Sequence, residues 1–285
     1  MGPINLLVSP VCMTSKVLSI LIVGGENSAE VYPNHSSGDG GWGYMPQLVR
    51  QLGRVGWQVQ VECHAPIDVH NALPLLQQLN LNRFDLILLE LGHTRLQKPA
   101  VFSDLFRVSA YDSFAPNGTP LTVSGIATHC NRTYTDHPPV ANDLFSKLLS
   151  YGKLATLRLL APLCRVGRLR EIGAQLTDLL YYVQPYRRRL VLLTPFPHPE
   201  PICNWLRQKG QQLFGQYGRR YMIPDFDTAA VLGRGEEFFT DTQPGQLSCG
   251  HLSPVAGDLL GQALFDYIQT NALLPARPEL RQRRR

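Results

Sequence analysis

The sequence predicts an α/β fold, a three-layer α/β/α sandwich with a central parallel five-stranded sheet, and three observations predict it. Residues 17–23 (VLSILIV) and 85–91 (DLILLEL) are nearly unbroken apolar runs without polar alternation, as suits strands covered on both faces. Segments of helical period separate such runs. The two kinds of segment alternate along the chain, which favours parallel pairing through crossover helices.

The elements follow in order. The first strand, 17–23, is closed by Gly24-Gly25. Tyr44, Met45, Leu48, Val49 and Leu52 recur at helical spacing, and Gly53 and Gly56 end that helix. A strand over 58–63 leads to a helix over 69–79 with Val69, Ala72, Leu73, Leu76 and Leu79 on one face, then to the strand at 85–91. Residues 144–149 and 172–183 carry helical stripes, 190–194 is a fourth strand, 202–214 a helix, and 221–223 a short fifth strand. The last amphipathic helix spans about 253–268, with Val255, Leu259, Leu260, Leu264 and Ile268 on one face. Residues 17–270 thus read as a single domain, 1–16 as an N-terminal extension and 271–285 as a basic, disordered tail. The stretch 96–142 has no clear period and reads as a lid or a surface excursion.

Composition narrows the function classes. With 285 residues, 44% hydrophobic and 17% charged, the chain can bury a core, which excludes disorder over most of its length. The formal net charge is +5, but residues 276–285 hold five Arg and one Glu, so the body is nearly neutral and no nucleic-acid partner is expected. Six scattered cysteines without a C-x-x-C pair read as reduced thiols, which favours the cytoplasm. Residues 5–13 are too short and too interrupted for a secretory segment, and no run reaches the eighteen apolar residues of a membrane span.

In a doubly wound sheet the site lies beyond the C-terminal strand ends, so the loops there carry the chemistry. Gly24-Gly25-Glu26-Asn27-Ser28 lacks the third glycine of a dinucleotide fingerprint and the G-K-[ST] of a P-loop, so no nucleotide cofactor is expected. What stands there is a hydroxyl on a turn, where a serine also suits a helix N-cap. At the other end of the chain His251 directly precedes the last helix. A Ser and a His, both in strand-end loops, form a nucleophile and base pair. His64 and His93 lack the carboxylate or thiolate pattern of a metal site and read as hydrogen-bonded loop residues, and Cys249 as a small buried hydrophobe. No metal is expected.

These residues resemble the SGNH/GDSL hydrolase superfamily. Residues 20–28 (ILIVGGENS) are similar to its first block, with Asn27 at the aspartate position of G-D-S. Residues 40–48 (GGWGYMPQL), 88–94 (LLELGHT), 192–197 (LLTPFP) and 251–257 (HLSPVAG) are similar to later segments, in the same order. The resemblance implies a flavodoxin-like SGNH hydrolase fold and ester hydrolysis without a cofactor. Ser28 would be the nucleophile and His251 the base. The oxyanion hole would use the backbone N–H groups of Ser28 and Ala65, and Thr94. Three positions depart from the family pattern: Ala65 stands for a glycine, Thr94 for an asparagine, and Ser248 for the acid that orients the histidine. Asp241, with Glu236 and Glu237, lies in the same loop as a replacement partner. The expected function is a serine esterase or acyl hydrolase acting on a small-molecule ester. A catalytically impaired member that binds a carbohydrate or acyl ligand, and an acyltransferase, are the alternatives.

Overall fold

The computed structural model describes residues 17–25, 43–65, 67–92, 96, 105–106, 144–160, 166–198, 200–233, 238 and 252–275. Five strands form one sheet: β1 (Val17–Gly24), β2 (Gln58–His64), β3 (Leu86–Glu90), β4 (Leu190–Leu193) and β5 (Asp225–Phe226). Their order is β2-β1-β3-β4-β5, and every neighbouring pair is parallel. Among the described residues seven α-helices accompany the sheet: α1 (Met45–Arg54), α2 (Val69–Gln78), α3 (Leu144–Leu160), α4 (Gly167–Val183), α5 (Pro201–Tyr221), α6 (Thr228–Leu232) and α7 (Pro254–Thr270).

The side-chain period of two explains why both sheet faces need cover. Leu21, Val23, Ile87, Leu89, Leu190 and Leu192 face the layer of α2, α3, α4 and α5. Leu18, Ile20, Ile22, Leu88, Val191 and Leu193 face α1 and α7. All twelve are fully buried, and each such side chain contributes about 1.5–3 kcal/mol of transfer free energy. The chain steps one way from β1 to β2 and the other way from β2 to β3. With right-handed crossovers, that reversal puts α1 on one face and α2 on the other.

The helix layer of α1 and α7 closes tightly. A Cβ on Gly261 would lie 2.4 Å from the Tyr44 carbonyl oxygen and 2.7 Å from Gln47 Cβ, so only glycine allows α7 to approach the start of α1 this closely. Gln51 of α1 donates its side-chain amide to Gln262 of α7 across the same contact. Beyond α7, Leu273 is also buried in this layer.

The fifth strand is not where the sequence predicts it. Tyr221 is the last residue of α5, Met222 is its left-handed cap at φ 55°, and the strand lies at Asp225–Phe226, paired with Leu192 and Leu193. Tyr and Ile favour strands, which is what the pattern at 221–223 showed. Yet Leu213, Tyr217 and Tyr221 continue the helical stripe onto the core, and packing decides the state. The short helix α6 also escapes the apolar pattern. Its start is marked by Asp227, whose carboxylate accepts from the N–H groups of Ala229 and Ala230.

Candidate active site at the sheet edge

Strand order reverses between β1 and β3, and the crevice beyond their C-terminal ends is where such sheets hold ligands. The residues there are joined by short backbone contacts. Gly25 N–H donates to the Glu90 carbonyl at 2.9 Å, and Ile67 N–H donates to the Gly24 carbonyl at 2.7 Å. The end of β1 is thereby tied to the end of β3 on one side and to the segment after β2 on the other. A Cβ on Gly24 would lie 2.4 Å from the Glu90 carbonyl oxygen and 2.5 Å from Glu90 Cβ, so the strand ends meet at van der Waals limits.

Glu90 itself is fully buried. Its Oε2 accepts a hydrogen bond of 2.9 Å from the hydroxyl of Tyr44, also fully buried, at the start of α1. Burial first, and then the charge and hydrogen bond of Glu90, hold the Tyr44 phenol well above its ordinary value, so it stays protonated as the donor. The Tyr44 ring packs edge-on against Phe196, 6.2 Å between centroids, just beyond β4. Phe196 and Pro197 in turn offer their carbonyls to the guanidinium of buried Arg207, at 3.2 and 3.3 Å. At the neighbouring strand end Thr194 and Thr228 interlock: Thr228 N–H donates to Thr194 Oγ1 at 3.0 Å, and the Thr228 hydroxyl lies 3.1 Å from the Thr194 carbonyl.

Of the residues that the sequence singles out, Ala65 is described: it follows β2 directly and is buried. Ser28, Thr94, Asp241, Ser248 and His251 lie outside the described residues, as do His93, Glu236, Glu237 and Cys249. The described chain reaches Gly25, three residues before Ser28, and resumes at Leu252, directly after His251. Leu252 is fully buried in the α1/α7 layer, and Ser253 caps α7 by accepting from Ala256 N–H at 3.2 Å.

His64 ends β2 and is buried. Its Nε2 lies 3.0 Å from Glu62 Oε1, and Arg83 grips the Glu62 carboxylate at 2.6 and 2.5 Å. That is a hydrogen-bonded histidine, as read from sequence, but it is the last residue of β2 and not a loop residue. Among the described residues no group of three His, Cys, Asp or Glu side chains could hold a metal ion. No helix among them is long and apolar enough to cross a membrane. A concavity of about 500 Å³, lined by Leu73, Gln77, Asp178, Tyr181, Tyr182 and Pro185, lies between the later turns of α2 and α4, and none of the strand-end residues lines it.

Two residues of this edge escape a reading for chemistry. Tyr44 shows in the sequence as one member of a helical stripe. Glu90 shows as a carboxylate within the otherwise apolar residues 86–91, which is the one signal that could have marked it.

No family model and no curated protein matches the sequence. Solved structures do resemble the fold. An acetylxylan esterase from Geobacillus stearothermophilus superposes with a TM-score of 0.50 at 15% identity, over 90% of this chain and 96% of that one. An alpha/beta hydrolase enzyme from the metagenome of Lake Arreo, Spain, superposes with a TM-score of 0.50 at 11% identity, over 91% and 97%. What the chain shares with these structures is the fold, a three-layer sandwich around one parallel five-stranded sheet.

Proposed function

We propose that the protein is a serine ester hydrolase acting on a small-molecule carboxylic or acetyl ester. The observation that carries this reading is the reversed strand order. It gathers the ends of β1, β2 and β3 at one edge, and these are the strands whose following segments contain Ser28, Ala65 and Thr94. His251 precedes α7, which packs on the same layer as α1. In this reading Ser28 Oγ attacks the ester carbonyl while the His251 imidazole takes its proton. The tetrahedral oxyanion is held by the N–H groups of Ser28 and Ala65 and by the Thr94 hydroxyl. Collapse returns the proton from His251 to the departing alcohol and leaves an acyl-Ser28. Water, deprotonated by His251, then attacks that acyl group and releases the carboxylic acid. Ser248 or Asp241 accepts the other ring N–H of His251. The reaction needs no cofactor.

Ser248 at the acid position makes slow turnover the expectation, because removal of the triad acid costs roughly 10⁴ in kcat in serine proteases. A serine-directed fluorophosphonate probe reads nucleophile activation without depending on the choice of ester. Wild-type protein should be labelled, and Ser28→Ala and His251→Ala should not. A folded wild type that is not labelled would overturn the nucleophile assignment and favour a catalytically impaired protein that binds a carbohydrate or acyl ligand at the same edge. Supplying an acceptor alcohol and measuring ester formation beside acid release separates hydrolysis from acyl transfer.

A further inference from the structure

We propose that the buried Tyr44–Glu90 pair is a positioning device that fixes the Gly24-Gly25 turn, from which the segment bearing Ser28 departs; the proposal rests on the nucleophile reading above and deepens it. Each half of the pair is tied to a different part of the site. The Glu90 carbonyl accepts from Gly25 N–H at 2.9 Å, and its Cβ lies only 2.5 Å from where a Cβ on Gly24 would be. Its carboxylate is held by the Tyr44 hydroxyl at 2.9 Å. The Tyr44 backbone lies against Gly261 of α7, the helix that follows His251, and its ring lies against Phe196. One hydrogen bond thus couples the ends of β1, β3 and β4 to the helix behind the predicted base.

The energetics favour a role in geometry over one in stability. Burying a carboxylate and a phenol is costly, and an apolar pair of the same volume would fill the space at no such cost. What the polar pair adds is direction. A hydrogen bond in a dry setting allows one rotamer on each side, which a hydrocarbon contact does not. Glu90 is the last residue of β3, so fixing its side chain also fixes the carbonyl that receives Gly25.

The test compares Tyr44→Phe, which deletes the hydroxyl alone, with Glu90→Gln, which keeps an acceptor for Tyr44 and removes the charge. Amide hydrogen exchange is followed in peptides across residues 17–30 and, as a reference, in peptides from β4 and α5. Fluorophosphonate labelling rates, and kcat and KM on any ester found, are measured beside it. In Tyr44→Phe, exchange at Gly25 should quicken by about tenfold to a hundredfold relative to the reference peptides, the size of removing one partner of a buried hydrogen bond. Labelling rate and kcat should fall by a similar factor with KM little changed, and Glu90→Gln should lie closer to wild type. Unaltered exchange at Gly25 in Tyr44→Phe would overturn the proposal. So would exchange that quickens equally in all peptides, in step with global stability, because the pair would then be a structural contact only. Should wild-type protein escape labelling altogether, the nucleophile reading fails, and exchange at Gly25 still decides whether the pair fixes the turn.

Discussion

Gly24 is the residue where sequence and chemistry meet most closely. A methyl group there would have to displace Glu90 backbone and Cβ atoms at 2.4 and 2.5 Å, neither of which is the free end of a side chain. Gly24→Ala is therefore expected to lose about 1–3 kcal/mol or more, the range of overpacked cores, with the loss seen as a lower denaturant midpoint at unchanged m-value. Equal stability of the variant would mean that the strand ends can part without cost. At this scale the sequence showed some roles and hid others. Gly24 and Gly25 stand out because two glycines after an apolar run imply a turn or a close approach. Tyr44 and Glu90 do not, since their pairing spans 46 positions and is made through space. The side chain that would orient His251 in the proposed mechanism escapes for the same reason, because sequence spacing does not fix which side chain approaches a ring through space.

The end of α5 shows how helices and strands compete for the same residues. Met222 holds a left-handed conformation at φ 55° and ψ 37°, while its N–H donates to the Arg219 carbonyl and Ile223 N–H to that of Gly218. A side chain in that region costs roughly 1 kcal/mol relative to glycine, and the Met222 side chain is exposed, with little packing to lose. Met222→Gly should raise stability by about 0.5–1 kcal/mol in denaturant titration, and a loss would show that the Met222 side chain contributes packing after all. The strands β1, β3 and β4 are legible as apolar runs, and β2 as the alternation of polar and apolar residues along Gln58–His64. The fifth is not, because a two-residue strand carries no period. Its neighbour α5 ends in residues with high strand preference, and only the packing of Tyr217 and Tyr221 on the core resolves the choice.

For the molecule as a whole the sheet explains both what holds and what fails. Two apolar layers on a parallel sheet follow from the sequence, since alternating runs and stripes leave few other arrangements. The same burial sets a limit at high pH. Tyr44 is held well above the ordinary tyrosine value, by burial first and then by Glu90, and Tyr267 is raised by burial and by Asp225. A raised value in the folded state means that the unfolded chain releases these protons first. The stability tied to both groups is present in full below about pH 10 and is lost as pH climbs towards the shifted values. Tyrosinate absorbance should therefore show a late component that appears together with loss of the far-ultraviolet helix signal, smaller in Tyr44→Phe. An early, fully reversible titration of all eleven tyrosines would contradict the buried setting of Tyr44.

The two described thiols are buried in different parts of this sandwich, Cys63 in β2 within the α1/α7 layer and Cys203 in the first turn of α5. Each can meet an alkylating reagent only when its own surroundings open. The described residues therefore carry two internal clocks. Modification rates resolved by peptide mapping would time the breathing of the strand beside β1 separately from that of the helix beyond β4, with no engineered label to disturb either.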